Sequence, residues 1–175
     1  MGRVLDQLAL IRLGRLRWPE LIAHERHKDF GLDAYAGPRL TPEKIGKGLA
    51  YTDNVGYAIS ILPSGRESFS PDASYYDGPM PADRMRFIEG PPKFAAEVRS
   101  ENDYTDAAEA DLADKRADYF AAGTLVVWDV DPLAECVHVY RASDPTNPAT
   151  YQRSDMAEAE PALPGWRVAV DWIFR

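Results

Sequence analysis

The chain has 175 residues, 45% of them hydrophobic and 27% charged, which suits one folded core and excludes a disordered tail. Its 20 Lys and Arg residues against 28 Asp and Glu residues give a net charge of -8. This balance excludes a protein that coats nucleic acid through bulk attraction, so an anionic substrate must be met locally or through a metal. No apolar run reaches the length of about 18 residues that a membrane span needs, and no membrane partner is expected.

The sequence holds a single cysteine, Cys136, flanked by apolar strand-forming residues. It cannot form an intramolecular disulfide and is most simply a small apolar residue of a strand in a reducing compartment. We therefore expect a cytoplasmic protein.

The first predicted element is an N-terminal helical segment over residues 1–36, within a single domain that spans residues 1–175. Apolar residues recur every three or four positions over 4–13, which predicts a helix that ends near Trp18. Pro19 restricts the residue before it and suits the first turn of a second helix.

The next part of the chain has the texture of short strands, rich in Tyr, Ile, Val and Ser and broken by turn signals. Strands are predicted over 47–52, 56–62, 67–76 and 94–98. A loop rich in Gly and Pro is predicted between the last two of them.

One long helix and several further strands complete the prediction. The clearest helix of the chain covers 106–122 and is closed by Gly123 as its C-terminal cap. Strands are predicted over 125–128, which is apolar without alternation and so buried on both faces, over 136–140 and over 166–174. The stretch 142–164 is predicted to be loop-rich, with a short strand at Tyr151.

Two carboxylates are candidates for chemistry. Asp72 follows Pro71 in a strand-rich stretch, and Glu97 lies in the middle of an apolar strand, where an unpaired charge is costly. On adjacent strands they can hold a divalent metal through hard oxygen ligands, with the backbone carbonyl of Val98 as a third ligand. The alternative, which the residues alone leave equally open, is a partly exposed edge residue or an ion-pair partner for each.

Lys115 is placed unusually for a helical lysine. It lies between Leu112 and Tyr119 on the side of the helix that should face inward. Such a lysine can deliver an ammonium group to a metal-bound phosphate, although its stem can equally run along Tyr119 to water. Asp111, Asp114 and Asp118 are expected to make ordinary solvent contacts.

An ordered series of motifs runs through residues 57–174. Its members are Pro71-Asp72, Glu97-Val98-Arg99-Ser100, Lys115, Tyr119, Gly123, Trp128, Asp131-Pro132, Val137-His138-Val139-Tyr140-Arg141 and Leu163-Pro164-Gly165-Trp166. In this order the series resembles the Uma-two family of restriction endonuclease-like proteins, within the PD-(D/E)xK nuclease superfamily.

The resemblance implies an α/β fold, a restriction endonuclease-like mixed β-sheet flanked by helices. It implies that Asp72 and Glu97 bind Mg²⁺ or Mn²⁺, and that the superfamily's lysine has moved to the following helix as Lys115. Arg99 stands where the superfamily has that lysine, and either adds a cation to the site or pairs with an acidic neighbour. Tyr119 is a further auxiliary candidate.

Other candidates for metal binding are weaker. The N-terminal forty residues do not match the family's opening, and within them Glu25 and Glu43 are weak candidates for an additional carboxylate ligand. His24 and His27 lack the spacing of a zinc-protease helix. His138 alternates with valines and is expected to be a surface or hydrogen-bonded histidine.

The leading functional hypothesis is a metal-dependent nuclease that hydrolyses phosphodiester bonds of nucleic acid, with DNA as the expected substrate. A catalytically inactive binding or assembly module with the same fold is the alternative, and the acidic surface favours it. A glycosidase using the two carboxylates would leave Lys115 without a role. A homodimer is expected from the resemblance, with weak support from the aromatic residues near the termini, Trp18, Trp166, Trp172 and Phe174.

Overall fold

The structure is a computed structural model, and it describes residues 48–52, 55–83 and 85–174. The predicted N-terminal helical segment, with Trp18 and the candidates Glu25, Glu43, His24 and His27, lies outside the described residues. No helix in the described part of the chain is long and apolar enough to cross a membrane.

The described residues form eleven strands and two helices. In chain order these are β1 (Leu49–Thr52), β2 (Tyr57–Ala58), β3 (Ser68–Phe69), β4 (Ala73–Tyr76), β5 (Ile88–Glu89), β6 (Phe94–Val98), α1 (Asp106–Ala122), β7 (Val126–Asp131), β8 (Cys136–Arg141), β9 (Asp144–Tyr151), β10 (Met156–Glu158), β11 (Arg167–Ala169) and α2 (Val170–Ile173).

A six-stranded mixed sheet in the order β1-β4-β6-β7-β8-β9 dominates the fold. β6 and β7 are parallel and are joined by α1, whereas the other neighbours in this sheet are antiparallel. The remaining strands form a three-stranded and a two-stranded sheet. The predicted mixed α/β architecture is therefore confirmed.

Helix α1 begins and ends as its sequence predicts. Thr105 is the N-cap, and its side chain accepts a hydrogen bond from the Ala108 amide at 3.2 Å. Gly123 ends the helix at φ 113°, a left-handed conformation that glycine adopts without steric cost. On the helix side of the sheet, buried Tyr119 belongs to a core cluster with Ala95 and Val127.

The larger core lies on the opposite face of the sheet, around Trp128, Trp166 and Phe94. The predicted closing strand 166–174 is wrong in part, because β11 covers three residues and the chain then turns into α2. Trp166, Trp172 and Phe174 are 1%, 6% and 8% exposed. They fill the protomer's own core, so they give no support to a dimer.

Proline explains two further differences from the prediction. Pro71 separates β3 from β4, where one strand over 67–76 was predicted. The stretch predicted as loop-rich contains the eight-residue strand β9, which in the described part of the chain lies at the edge of the sheet and pairs with β8 alone. An edge strand tolerates Pro145 and Pro148, since one side of its backbone needs no ladder partner.

Candidate active site

Asp72 and Glu97 lie side by side at the end of β4 and in β6. The antiparallel register pairs Ala73 with Ala96, and its extension by one pair sets Asp72 opposite Glu97. Asp72 Oδ2 accepts a hydrogen bond from the Val98 amide at 2.8 Å. Because cross-strand neighbours share a face of a sheet, both carboxylates belong to the face that α1 covers.

A row of polar residues continues from Glu97 across the sheet. Glu97 is registered with Asp129 in β7, and Asp129 with His138 in β8. We call Asp72, Glu97, Asp129 and His138 the polar row. The row that neighbours it on the same face is Ser74, Ala95, Val127 and Tyr140, which is buried, so the polar row marks the boundary of the core below α1.

Tyr119, on the helix that covers this face of the sheet, forms a hydrogen bond with Glu97. Its hydroxyl donates to Glu97 Oε1 at 2.6 Å, and the residue is fully buried. Burial raises the pKa of the Tyr119 phenol well above its ordinary value, and the carboxylates of Glu97 and Asp72 raise it further. Tyr119 therefore remains a protonated donor. Both carboxylates raise its pKa, which agrees with their place on the same face of the sheet.

Lys115 reaches the same carboxylate. Its ammonium Nζ lies 2.8 Å from Glu97 Oε2, with the two side chains 30% and 16% exposed. Lys115 and Tyr119 are four residues apart on α1, so they project from one side of the helix and engage one oxygen each. The lysine forms an ion pair within the cleft instead of only running along Tyr119 to solvent.

Arg99 is anchored by acidic neighbours and also lines the cleft. It donates two hydrogen bonds of 2.7 Å to Asp129 and contacts Glu109 at 2.9 Å. Arg116 contacts the same Asp129 at 3.2 Å and lies 4.2 Å from the centre of the Tyr140 ring. The hydrogen bonds from Asp129 hold the pKa of Arg99 above its ordinary value, so the guanidinium is permanently charged.

Glu97, Lys115, Arg99 and Asp129 border a cleft of about 320 Å³ between α1 and the sheet. Asp72, Tyr119 and Arg116 are not among its lining residues. Its charged lining comprises Arg66, Glu97, Arg99, Asp103, Asp111, Lys115 and Asp129. The three cations offset three of the four carboxylates, which lowers the repulsion that the acidic lining would otherwise exert on a phosphate group.

Sequence reasoning missed the pair formed by Arg66 and Asp118. Asp118 was expected to contact solvent, but it is 9% exposed and accepts a hydrogen bond of 2.8 Å from Arg66 Nε. A signal was present, since Asp118 lies three residues after Lys115 and so on nearly the same side of the helix. Asp129 was missed as well, although it is a carboxylate in an apolar strand just as Glu97 is.

Comparison with known proteins gives the family. A family profile described as "Putative restriction endonuclease", Uma2, matches residues 31–171. The chain belongs to the Uma2 family. A solved structure, "a putative nuclease belonging to DUF820 from Anabaena variabilis ATCC 29413", is similar to this Uma2 protein with a TM-score of 0.55 and 18% sequence identity. The similarity covers 76% of this chain and 70% of the other, and it supports the nuclease-like fold. No curated protein matches.

The carboxylate pair has the donor chemistry of a hard divalent cation. Asp72 and Glu97 offer oxygen ligands, and Glu97 is held in place by Tyr119 and Lys115 at one bond per oxygen. Each carboxylate oxygen has a second lone pair for a ligand. The residues present in this Uma2 protein therefore fit Mg²⁺ or Mn²⁺, which prefer such oxygen sets.

Proposed function

We propose that this Uma2 protein is a metal-dependent nuclease that hydrolyses phosphodiester bonds of nucleic acid, with DNA as its expected substrate. The observation that carries the proposal is the meeting of Lys115 and Tyr119 on Glu97, with Asp72 beside it on the neighbouring strand. Family membership supports the reaction class.

Asp72 and Glu97, with the backbone carbonyl of Val98, are the proposed ligands of Mg²⁺ or Mn²⁺. When bound, such a cation supplies Lewis-acid activation of water and of the scissile phosphate. Tyr119 acts as a positioning residue, because its short hydrogen bond fixes the rotamer of Glu97.

Lys115 and Arg99 supply positive charge beside the proposed metal ligands. The Lys115 ammonium, 2.8 Å from Glu97, is close enough to orient a water molecule and to offset charge that develops on a phosphate. The Arg99 guanidinium is held by Asp129, so it adds fixed positive charge to the cleft wall without needing to reorganise during the reaction.

A catalytically inactive binding or assembly module is the second candidate. The net charge of -8 and the exposed acidic residues of α1, including Asp111 and Asp114, favour it because they oppose the approach of nucleic acid. Such a module would need no metal-dependent cleavage.

We also propose a cytoplasmic location and a homodimer for this Uma2 protein. Sedimentation velocity at micromolar concentration tests the dimer, and a monomer would contradict it.

The proposal is tested by cleavage of labelled DNA with Mn²⁺ or Mg²⁺ and with excess chelator. We expect cleavage by the wild type that depends on the metal, and a loss of about 1,000-fold or more in Asp72→Asn and Glu97→Gln, as removal of metal ligands implies. Asp77→Asn is the matched control, since Asp77 is an exposed carboxylate paired with Lys93.

Three outcomes contradict the proposal. Cleavage that persists in chelator excludes the metal, and full activity of Asp72→Asn excludes the assigned ligands. A wild type that binds Mn²⁺ but leaves single-stranded and double-stranded DNA and RNA intact supports the inactive module instead.

A further inference from the structure

A second cluster of ligating side chains lies next to the turn of the β7–β8 hairpin. Asp131, Cys136 and His138 each offer one ligand atom, and these atoms all lie within 4.8 Å of one another. The hairpin register brings them together: Asp131 is paired with Cys136, and His138 follows two residues later on the same face of β8.

The distances suit a tetrahedral metal site. Cys136 Sγ and His138 Nε2 are 3.5 Å apart. Ligand atoms around tetrahedral zinc, with bonds of about 2.0–2.3 Å, lie about 3.3–3.8 Å from each other. The cysteine and histidine already have this separation, and the carboxylate needs to move by about 1.5 Å at most.

Each end of the cluster is held by hydrogen bonds typical of metal ligands. His138 Nδ1 lies 2.9 Å from Thr150 Oγ1, and a donated bond there leaves the Nε2 lone pair for a metal. Asp131 Oδ1 accepts bonds from the Tyr104 hydroxyl at 2.8 Å and from the amides of Leu133 and Ala134 at 2.9 Å. Among the described residues, every hydrogen bond to Asp131 ends on Oδ1, which leaves Oδ2 for ligation.

The negative charge of Asp131 is not balanced by a cationic side chain among the described residues. Asp131 is 8% exposed and forms no ion pair with any residue in the described ranges, whereas its neighbour Asp129 is paired with both Arg99 and Arg116. A buried carboxylate without a cation is costly, and a divalent ion supplies the missing positive charge.

We propose that Asp131, Cys136 and His138 bind a borderline transition metal of the Zn²⁺ class, with the fourth position open to water. A thiolate and an imidazole select such an ion over Mg²⁺ or Mn²⁺. Binding releases the thiol proton of Cys136 and forms a metal–sulfur bond without any change of oxidation state. His138 is two strands from Glu97, about 10 Å across the sheet, so this site is separate from the carboxylate pair.

The ion would tie the β7–β8 hairpin to the segment before α1. Tyr104 bonds directly to Asp131, and α1 begins two residues later with Asp106. The site thus anchors the start of the helix that carries Lys115, which gives the bound ion a structural role.

Cobalt spectroscopy on the full chain, stripped with chelator, tests the site independently of any nuclease activity. Titration with Co²⁺ should produce a thiolate-to-cobalt charge-transfer band that saturates and then disappears on addition of Zn²⁺. The pair of Asp72 and Glu97 has no thiolate and adds nothing to this band. Cys136 is the single cysteine of the chain, so the band reports this site alone.

The variants make the test specific. Cys136→Ser should abolish the band, and His138→Gln and Asp131→Asn should weaken Co²⁺ binding about 10-fold or more. His138 is partly exposed, so its variant is expected to fold even if the cysteine variant does not. Asp72→Asn should leave the band unchanged. A wild type that binds Co²⁺ without a charge-transfer band, or a His138→Gln variant with unchanged affinity, would overturn the proposal.

Discussion

Replacement of Lys115 by methionine separates the catalytic from the structural contribution of the ion pair with Glu97. Methionine keeps most of the apolar stem and removes the ammonium group. The paired side chains are 30% and 16% exposed. The pair thus lies between exposed pairs, worth about 0.2–1 kcal/mol, and buried pairs, whose rupture costs about 3–5 kcal/mol.

We expect Lys115→Met to lower the free energy of unfolding by about 1–2 kcal/mol. Glu97 keeps its hydrogen bond from Tyr119, which limits the loss. Since small domains have about 5–15 kcal/mol of stability, more than about 99% of the variant stays folded. Cleavage should nevertheless fall about 100- to 1,000-fold, the usual effect of removing one preorganised electrostatic group.

The assay combines urea unfolding with the rate of metal-dependent DNA cleavage in one preparation. Lys93→Met is the matched control, because Lys93 forms a more exposed ion pair with Asp77 and does not border the cleft. It should cost less than about 1 kcal/mol and leave cleavage unchanged. Wild-type activity in Lys115→Met, or an activity loss equal to that of Lys93→Met, would refute the role of Lys115.

Three further predictions follow from the same contacts. Asp129→Asn should lower the free energy of unfolding by about 3–5 kcal/mol, because it leaves Arg99 and Arg116, each 11% exposed, with the half-exposed Glu109 as their one ion-pair partner among the described residues. A cost below about 1 kcal/mol in urea unfolding would contradict this. Tyr119→Phe should be less stable than the wild type by about 1.5–3 kcal/mol at neutral pH. The folded wild type holds the phenol proton of Tyr119 more tightly than the unfolded chain does, so the stability of the wild type falls as pH rises above the ordinary pKa of 10.0. The difference in free energy of unfolding between the wild type and Tyr119→Phe should therefore narrow at such pH values. A stability difference that stays constant as pH rises would refute the assignment of Tyr119 as a protonated donor to Glu97. Binding of labelled DNA without metal should be weak and show a shallow salt dependence, and Mn²⁺ should strengthen it in the wild type but not in Asp72→Ala; strong metal-independent binding with a steep slope would reveal an overlooked basic surface.

Local sequence signals predicted the elements that carry the site. β6 and α1 have the predicted bounds, 94–98 and 106–122, because an apolar run and a capped helix each encode their own ends. β9 was missed because its two prolines are tolerated only at a sheet edge, and edge position is a property of the topology.

The candidate site was predictable where a charge interrupts an apolar pattern. Glu97 and Lys115 stood out in this way, and the structure brings them into contact. The contact of Arg66 with Asp118 spans 52 residues and joins the segment between β2 and β3 to α1. The helix position of Asp118 marks it in the sequence, but no local pattern encodes its partner. The cluster of Asp131, Cys136 and His138 likewise depends on hairpin register, which the sequence alone leaves open.

The central claim is that Asp72 and Glu97 together hold a divalent cation beside Lys115. The most direct test is a crystal structure of the wild type grown with Mn²⁺, with anomalous scattering used to locate the ion. We predict an anomalous peak within bonding distance of a carboxylate oxygen from both Asp72 and Glu97, absent from crystals of Asp72→Asn. A peak bound by neither residue, or carboxylates that stay without an ion at millimolar Mn²⁺, would contradict the account.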